Sequence, residues 1–348
     1  MKREGASSVS GVDVERACAP AVWTRRDIDA ILAAPTPDNN QPWLLETRKT
    51  TLAIRLDRSR LLPSDVDGMF DLIGLGAALA NLHIVRSQAN DTDALPVLIE
   101  NADGELVEPP RDVWPPLSPD VCRELATEVP RRHTNRRPYA RRVPKREDLD
   151  ALAGAAEADG VLEHRCRVTW LTERSAIGKF AGLVARCDRL RFEYPAFHAE
   201  LFKQLRFHPS EVQQRGDGLD VRTLELPPGA ATFLRCLRSW SAMRIFKRLG
   251  GTRLMALPSR WSVLHSGAIG LLAMRVSHDD ADLASVSLQQ WREHCLVAGA
   301  ALQRLWLKAS QLDVAIQPLG SLPLFFARIH RLRGEGLTAR DQEAVQRL

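Results

Sequence analysis

A long apolar helix in the first third of the chain places the strongest limit on the fold. Residues 70–90 carry leucines at three- and four-residue steps, which gives one apolar stripe: Leu72, Leu75, Leu79 and Leu82. Gly74 and Gly76 interrupt this pattern, although a glycine costs a helix roughly 1 kcal/mol relative to alanine. Such a glycine allows close approach of another backbone or of a ligand. Tight packing against a second helix is the simpler explanation.

A similar helix is predicted near the end of the chain. Residues 289–312 place four apolar side chains on one face: Leu302, Leu305, Ala309 and Leu312. The glycine- and alanine-rich residues 75–82 and 298–312 suggest matching helices in two related halves. No residue-level repeat links them, so a duplicated architecture with diverged sequence is a hypothesis.

The remaining patterns predict a mixed α+β fold. Alternation of apolar and polar residues predicts a hairpin that turns near Arg48 and Lys49, and further strands. The predicted strands cover residues 43–47, 51–57, 94–100 and 163–171, with a buried strand within 266–274. The predicted helices, besides the two above, cover residues 14–33 (with Thr24 as a possible N-cap of residues 25–32), 119–128, 145–156, 174–191, 232–248 and 338–348.

Proline content indicates where the chain divides. Five prolines lie between residues 108 and 119, which is typical of an extended linker. We therefore predict a first half over residues 14–115 and a second half over residues 116–348. Residues 192–229 hold four more prolines, several aromatic residues and the sequence Gly216-Asp217-Gly218. A long irregular excursion of this kind, within the second half, is typical of a functional lid.

Composition excludes several classes of protein. The 348 residues are 45% hydrophobic and 26% charged, as in ordinary globular proteins. The six cysteines show no CxxC pair, so we predict no disulfide framework and no metal site, and reduced thiols in the cytoplasm. The first thirteen residues lack the apolar stretch of a secretory signal, and residues 266–274 are too few to span a bilayer. A net charge of +5 permits attraction to phosphate, nucleic acid or lipid without choosing among them.

An arginine-rich strip lies near the middle of the chain, at residues 131–139. Arg132, Thr134 and Arg136 alternate along it. In an extended segment all three point to one side, and Pro138 disfavours a helix up to Arg137. Two guanidinium groups and a hydroxyl on one side can bind a phosphate through paired hydrogen bonds. The alternatives are a solvated basic surface and an arm that binds nucleic acid.

A rigid, amide-rich loop precedes the predicted hairpin, at residues 34–43. Prolines stop the helix before it, and Asn40 and Gln41 then place two side-chain amides next to each other, each with a donor and an acceptor end. Pro42 fixes the backbone and Trp43 can anchor the loop in the core. The alternative is an ordinary surface turn of Asp, Asn and Pro. We predict that this loop and the arginine strip enclose one ligand.

Together the two stretches resemble motifs of the flavin-dependent nitroreductase family. The loop Ala34-Pro35-Thr36-Pro37-Asp38-Asn39-Asn40-Gln41-Pro42-Trp43 is similar to the family's APSxxNxQPW loop, and Arg132-His133-Thr134-Asn135-Arg136 is similar to its RxSxR phosphate motif. The loop precedes the arginine motif here, as in the double-length Acg-like subfamily. That resemblance implies two fused nitroreductase-like halves, each an antiparallel-rich sheet packed by helices, which form an internal pseudo-dimer with a lid.

The resemblance also implies a site for one flavin mononucleotide (FMN). Its predicted residues are Arg132, Thr134, Arg136 and Arg137 for the phosphate, and Pro37, Asn39, Asn40, Gln41 and Pro42 beside the flavin. Asn39 or Asn40 fills the family's asparagine position, and the spacing to Gln41 favours Asn39. Ser266 and Gly267 are predicted to supply the backbone N–H to N5 of the flavin, because glycine lets a backbone approach the ring.

The implied function is an FMN-dependent oxidoreductase that passes electrons from NAD(P)H to a small electron-poor acceptor. The alternative is a protein that sequesters FMN under a cover with little turnover. We predict no catalytic side chain, because the flavin carries the chemistry, and a structural role for His133. The expected partners are a small-molecule acceptor and no nucleic acid or membrane, in a monomer with an internal pseudo-twofold axis; further dimerisation is left open.

Overall fold

The computed structural model describes residues 23–48, 51–88, 97–114, 117–157, 166–275 and 282–346. Within them the chain is a mixed α+β protein in which helices predominate, so the predicted fold class is confirmed at that level. The elements of the first half are α1 (Arg25–Leu32), β1 (Trp43–Arg48), β2 (Thr51–Leu56), α2 (Met69–Gln88), β3 (Val97–Glu100) and β4 (Leu106–Val107).

The second half is longer and mostly helical. Its elements are α3 (Pro119–Glu128), α4 (Arg146–Glu157), β5 (Cys166–Leu171), α5 (Arg174–Glu193), α6 (Pro195–Gln204), β6 (Leu205–Arg206), α7 (Pro209–Arg215), β7 (Leu219–Asp220), α8 (Ala230–Cys236), α9 (Trp240–Arg248), α10 (Thr252–Met255), α11 (Leu257–His265), β8 (Ile269–Met274), α12 (Leu288–Gln311), α13 (Ser321–His330) and α14 (Ala339–Gln346).

The principal sheet has four strands in the order β1-β2-β3-β4. β1 and β2 form the predicted antiparallel hairpin, with Trp43 opposite Leu56 and Arg48 opposite Thr51. β3 runs parallel to β2, because α2 carries the chain from one strand to the next. β5 pairs antiparallel with β8. The predicted buried strand in residues 266–274 is wrong in one respect: β8 is largely solvent-accessible, with Ile269 its one buried residue.

Direct backbone contact between α2 and α12 forms the centre of the molecule. A methyl group at Gly76 would overlap the carbonyl of Leu296, and one at Gly299 would overlap the carbonyl of Ile73. The contact is reciprocal. Gly76 lies one helical turn after Ile73, which Gly299 touches, and Gly299 lies one helical turn after Leu296, which Gly76 touches. The expected reason for Gly76, close helix packing, is confirmed. Gly74 has a different neighbour, the carbonyl of Pro35 in the amide-rich loop.

The largest hydrophobic core crosses the predicted boundary between the halves. Leu72, Leu75 and Leu79 of α2 share it with Leu296 and Ala300 of α12. The proline-rich segment is packed on the protein as well, since Pro109 and Val113 are buried there. Residues 108–114 therefore contact the core, whereas the sequence predicted an extended linker.

Most predicted helices are present with small changes of boundary. Thr24 caps α1 in a capping box with Asp27, as predicted; residues 14–22 of that helix lie outside the described residues, as do residues 94–96 and 163–165 of two predicted strands. The helix predicted over residues 232–248 is two helices, α8 and α9, which break before the N-cap Ser239. The excursion at residues 192–229 was predicted to be irregular. It is instead built largely from α6, α7 and the short parallel pair β6–β7.

One described helix has the length and composition of a membrane span. This is α2, and 78% of its most apolar window is buried inside the protein. Its leucines contact β2, β3 and α12, which is the environment of a core helix.

The glycine contact predicts an unequal response to alanine. Gly299→Ala should lower the free energy of unfolding by about 1–3 kcal/mol, because two backbones must separate to admit the methyl group. Gly154→Ala in α4 is the matched control, since no atom lies within 4 Å of its added carbon, and it should stabilise the protein by about 0.5–1 kcal/mol. Urea unfolding monitored by circular dichroism measures both. Equal stability of Gly299→Ala and the parent would refute the close contact.

Candidate functional site

The amide-rich loop contains an unusual concentration of backbone strain. Asp38, Asn39 and Gln41 all have positive φ angles, of 48°, 54° and 47°. This left-handed region is unfavourable for residues other than glycine, although Asp and Asn tolerate it best. The loop is held from within by Thr36, whose Oγ1 accepts a hydrogen bond from the Gln41 amide (3.2 Å). Several such residues in one short loop are a feature of binding and active sites.

Asn40 is turned into the protein. Its side chain is buried, and Nδ2 donates to Asp71 Oδ1 (2.6 Å) and to the carbonyl of Arg60 (3.1 Å). The role of Asn40 beside a flavin stays a prediction, since these bonds engage only Nδ2 and the buried Oδ1 has no partner among the described residues. Its side chain fixes the loop onto α2, because a buried amide must find partners inside the protein.

Asn39 and Gln41 lie on the outer side of the loop. Asn39 Nδ2 donates to the carbonyl of Gly218 (3.0 Å), and Gln41 Nε2 donates to Asn39 Oδ1 (3.1 Å). Pro37 begins the turn and is half-buried, while Pro42 is buried and its carbonyl accepts from the Asp57 amide (2.7 Å). Asn39 therefore contacts the excursion at residues 192–229 directly, and Gln41 is bonded to Asn39.

Arg132 is a half-buried cation whose guanidinium makes few hydrogen bonds. Its Nη2 donates to the carbonyl of Ala33 (3.3 Å), and its guanidinium lies 4.4 Å from the ring centre of Trp306. The Nε and Nη1 atoms are buried and have no hydrogen-bond partner within the part of the chain that the structure describes. Burial lowers the pKa of Arg132 to about 10. Unused guanidinium donors in a low-dielectric site favour an anion.

Arg136 lies beside the strained loop. Burial lowers its pKa, and the attraction of the Asp38 carboxylate partly opposes that shift. Together with the hydrogen bond from Arg132 to Ala33, this places the arginine strip against the amide-rich loop. The two stretches that the sequence singled out are thus neighbours in the folded chain.

The other residues of the strip have different surroundings. Thr134 is half-buried, as are Arg132 and Arg136 on either side of it. Arg137 is exposed and its Nε lies 3.3 Å from Glu225 Oε1 of the excursion, so it pairs with a carboxylate within the protein. His133 is exposed and contacts the carbonyl of Arg131 through Nδ1 (3.1 Å). The backbone of Asn135 donates to the carbonyl of Ile316 (2.9 Å), which holds the strip extended.

Ser266 and Gly267 lie at the far end of the strip, and the structure gives a different reason for their small size. A methyl group at Gly267 would overlap the carbonyl of Arg142, so the close approach is made by protein backbone. Ser266 Oγ donates to the carbonyl of Val263 (2.7 Å), and its own carbonyl accepts from Arg174 Nη1 (2.8 Å). Both residues therefore have structural partners. Packing against Arg142 explains the small size of Gly267, so that size does not support a role at N5 of the flavin.

The excursion is fastened across the loop by contacts that sequence reasoning did not foresee. Two hydrogen bonds join Gly218 to Asn39. The amide of Gly218 donates to the carbonyl of Asn39 (2.9 Å), and Asn39 Nδ2 donates to the carbonyl of Gly218. Arg191 Nη2 lies 3.3 Å from Asp38 Oδ2. The sequence Gly216-Asp217-Gly218 was the available signal, since Gly218 has a φ of 82° and no room for a side chain beside Arg206.

A second attachment joins the excursion to the segment before α2. Glu200 of α6 is buried and accepts hydrogen bonds from the amide of Ser64 (2.6 Å) and from its hydroxyl. Asp65 and Asp71 lie close by. Burial raises the pKa of Asp71 to about 6 and raises that of Asp65, where the charge of Asp71 adds to the effect. Residues far apart in the chain make up this acidic cluster, so no local pattern reveals it.

A polar pocket of about 200 Å³ opens between the loop and the excursion. Its lining residues are Asn40, Ser59, Arg60, Lys203, Gln204, Arg215 and Asp217. Pockets that hold whole cofactors have volumes of about 300–1,000 Å³. This pocket is smaller than that, and none of its lining residues belongs to the arginine strip. A second pocket, of about 250 Å³, lies away from both motifs, between β3 and α12.

Comparison with known proteins gives one relative and no family assignment. No protein-family model matches the chain. Over 322 residues it is 25% identical to the uncharacterized protein MT1398 of Mycobacterium tuberculosis (strain CDC 1551 / Oshkosh). The alignment covers 87% of this chain and 41% of that protein, so the chain spans about two fifths of the relative's length. The name of the relative states no activity, and membership of the nitroreductase family stays a prediction.

The buried Asp71 predicts a pH-dependent stability. Folded Asp71 keeps its proton up to about pH 6, whereas the unfolded chain releases it near pH 4. Ionisation therefore favours the unfolded state as pH rises, and the folded state loses stability between pH 4 and 6. Asp71→Asn removes this loss and preserves the bond from Asn40. The stability of the variant relative to the parent should increase by roughly 2–3 kcal/mol from pH 4 to 7.

The measurement is urea unfolding at a series of pH values. Asp150→Asn is a matched control, because Asp150 is exposed on α4 and its replacement also removes one carboxylate. A stability difference for Asp71→Asn that does not change with pH would contradict the raised pKa.

Proposed function

We propose that this protein binds FMN between the arginine strip and the amide-rich loop, and acts as an FMN-dependent oxidoreductase of the nitroreductase type. The observation that carries the proposal is Arg132, whose guanidinium buries two nitrogens, Nε and Nη1, that have no acceptor among the described residues, beside a strained loop. Buried donors without acceptors are costly, and a phosphate supplies acceptors in the required number. The burial of Arg132 also argues against an exposed arm for nucleic acid.

The phosphate end of the proposed site consists of Arg132, Thr134 and Arg136. Arg132 and Arg136 have lost solvent, which strengthens any interaction they make with an anion. Arg136 has only the Asp38 carboxylate as an identified electrostatic neighbour. Arg137 is less suited, because it is exposed and paired with Glu225, and we leave it out of the proposed site.

The ring end of the proposed site is the loop from Pro37 to Pro42. Asn39 and Gln41 offer amide groups on the outer face of this loop, whereas the inward bond of Asn40 to Asp71 makes Asn40 a positioning residue. The positive φ angles at Asp38, Asn39 and Gln41 fix the direction of the backbone groups. Such preorganisation is what a rigid planar ligand requires.

Bound FMN supplies hydride and electron transfer, and the residues of this chain bind, orient and shield it. The reductant would be NAD(P)H and the acceptor a small electron-poor molecule. No side chain is assigned as an acid or base. His133 is exposed and bonded to its own strip, which agrees with a structural role.

The reciprocal contact of α2 and α12 supports an internal pseudo-dimer. In a twofold-symmetric interface, residue i of one partner touches residue j of the other, and j touches i. Gly76 with Leu296 and Gly299 with Ile73 follow this rule inside one chain. We infer that α2 and α12 are equivalent helices of two nitroreductase-like halves, with residues 192–229 as the lid.

The attachments of the excursion favour a second candidate, sequestration of FMN. Gly218, Glu200 and Glu225 each connect the excursion to the loop side or to the arginine strip. A firmly closed cover would retain the flavin and exclude nicotinamide. The visible spectrum of the purified protein tests flavin binding, and bleaching by NAD(P)H distinguishes the oxidoreductase from the storage protein.

Replacement of Arg136 tests the phosphate site. Arg136→Ala should weaken FMN binding by about 1.5–3 kcal/mol, roughly a 10- to 100-fold rise in Kd, because a charged hydrogen bond is lost. Arg131→Ala is the control, since Arg131 is exposed and pairs with Glu128. Quenching of flavin fluorescence during titration of the apoprotein gives Kd. Equal affinities for the two variants would exclude Arg136 from the site.

A pair of glycine variants tests the cover. Gly218→Ala should force the excursion away from Asn39, because the added carbon meets Arg206 and the Gln204 carbonyl. Gly216→Ala is the control, since Gly216 also has a positive φ but no atom lies within 4 Å of its added carbon. Stopped-flow reduction of bound FMN by NADPH should be faster in Gly218→Ala only, by roughly 10-fold, because lid opening limits turnover in many enzymes. Equal rates in both variants would mean that the excursion does not control access.

A further inference from the structure

A basic and apolar surface lies outside the proposed FMN site, on helices α8–α11. Residues 230–265 contain seven lysines and arginines and no aspartate or glutamate. The same segment exposes several large apolar side chains, among them Leu249 (80% exposed), Ile245 (59%), Leu254 (58%) and Trp261 (58%). Positive charge and exposed apolar area thus occur together in this segment. On an ordinary protein surface, exposed apolar residues are scattered singly.

The apolar side chains form two stripes along the helices. Ile245 and Leu249 are one turn apart on α9, and Leu254, Leu257 and Trp261 recur at three- and four-residue steps over α10 and α11. The inner sides of these helices are packed, since Met243 and Val263 are buried. The two stripes are therefore outward faces of well-folded helices. They do not result from a loose segment.

The turn between α9 and α10 fixes Leu249 at the surface. Gly250 adopts a φ of 77°, its amide donates to the carbonyl of Lys247 (2.9 Å), and the amide of Gly251 donates to that of Phe246 (2.9 Å). These are the two bonds of a Schellman motif, which ends a helix with a defined geometry. Gly251 leaves no room for a side chain beside Phe246. Leu249 is thus held outward by a rigid turn.

An arginine immediately precedes four of the exposed apolar residues. The pairs are Arg244 with Ile245, Arg248 with Leu249, Arg253 with Leu254, and Arg260 with Trp261. Neighbouring helical residues project about 100° apart, so the guanidinium groups flank the apolar stripes. All four arginines are exposed. Helices that lie in a membrane interface have the same arrangement, with arginine and lysine beside Trp, Phe and Leu.

We propose that the face formed by residues 230–265 binds the surface of a bilayer that contains anionic lipids. The arginines would contact lipid phosphates while Leu249, Leu254 and Trp261 enter the boundary of the acyl region. We expected no membrane partner from the sequence, on the ground that no segment is suited to cross a bilayer. Attachment at the surface requires no such segment.

Other occupants fit the face less well. A second copy seated on the same patch would bring two sets of seven cations together, which is repulsive. Nucleic acid would satisfy the charge, but aliphatic side chains such as Leu249 and Ile245 do not stack on bases, which is how exposed apolar groups contribute to such binding.

Vesicle flotation with the full chain tests the proposal. Vesicles of phosphatidylcholine with about a third phosphatidylglycerol should carry the protein upward, and pure phosphatidylcholine vesicles should carry at least ~10-fold less, because the anionic headgroups attract the arginines. Leu249→Ser with Trp261→Ser should reduce binding to the anionic vesicles by at least ~10-fold. The control pair is Leu44→Ser with Phe326→Ser, two exposed apolar residues on other surfaces, and it should bind like the parent.

Three results would overturn the proposal. The first is equal recovery with both vesicle types, or binding that the Leu249/Trp261 pair does not reduce. The second is a concentration-dependent dimer, measured by light scattering, that the same pair abolishes, since the patch would then join two copies. The third is salt-sensitive binding to duplex DNA at a protein concentration at which no protein binds to the anionic vesicles. Circular dichroism of both pairs confirms that the fold is intact.

Discussion

The contact between the backbones of α2 and α12 is the interaction on which the rest of the structure depends. It exists because Gly76 and Gly299 each leave a space that a carbonyl of the other helix fills. α2 also supports the amide-rich loop, since Gly74 packs against Pro35 and Asp71 accepts a hydrogen bond from Asn40. α12 carries Trp306, on which Arg132 rests. A shift of either helix would separate the loop from the arginine strip.

Three segments that are distant in the chain meet above these helices. The loop contributes strained backbone, the strip contributes buried cations, and the excursion closes over both through Gly218 and Glu225. Strain and cation burial both cost free energy. An anion at Arg132 and a planar ligand at the loop would recover part of that cost, which is the physical basis of the FMN proposal. The acidic cluster of Asp65, Asp71 and Glu200 lies where the excursion attaches. It adds a cost to the free energy of folding that depends on pH.

The sequence was informative wherever the deciding interaction is local. Leucine periodicity located α2 and α12, Thr24 located the start of α1, and alternation located the β1–β2 hairpin. Periodicity did less well for β8, because a run of apolar residues does not tell which strands cover it. For the excursion, proline and glycine content suggested irregular structure, yet its Phe202 and Val221 lie in a hydrophobic core shared with Met243 of α9.

For the candidate site, the sequence by itself determined which residue types are available and favoured an extended strip, since Pro138 disfavours a helix up to Arg137. Only the tertiary structure decided which side chains face a ligand. It turned Asn40 inward to Asp71, gave Gly267 a backbone neighbour in Arg142, and paired Arg137 with Glu225. It also exposed the apolar stripes of α9–α11. The reason is physical: burial and pairing depend on elements that are far away along the chain, whereas backbone preference depends on immediate neighbours.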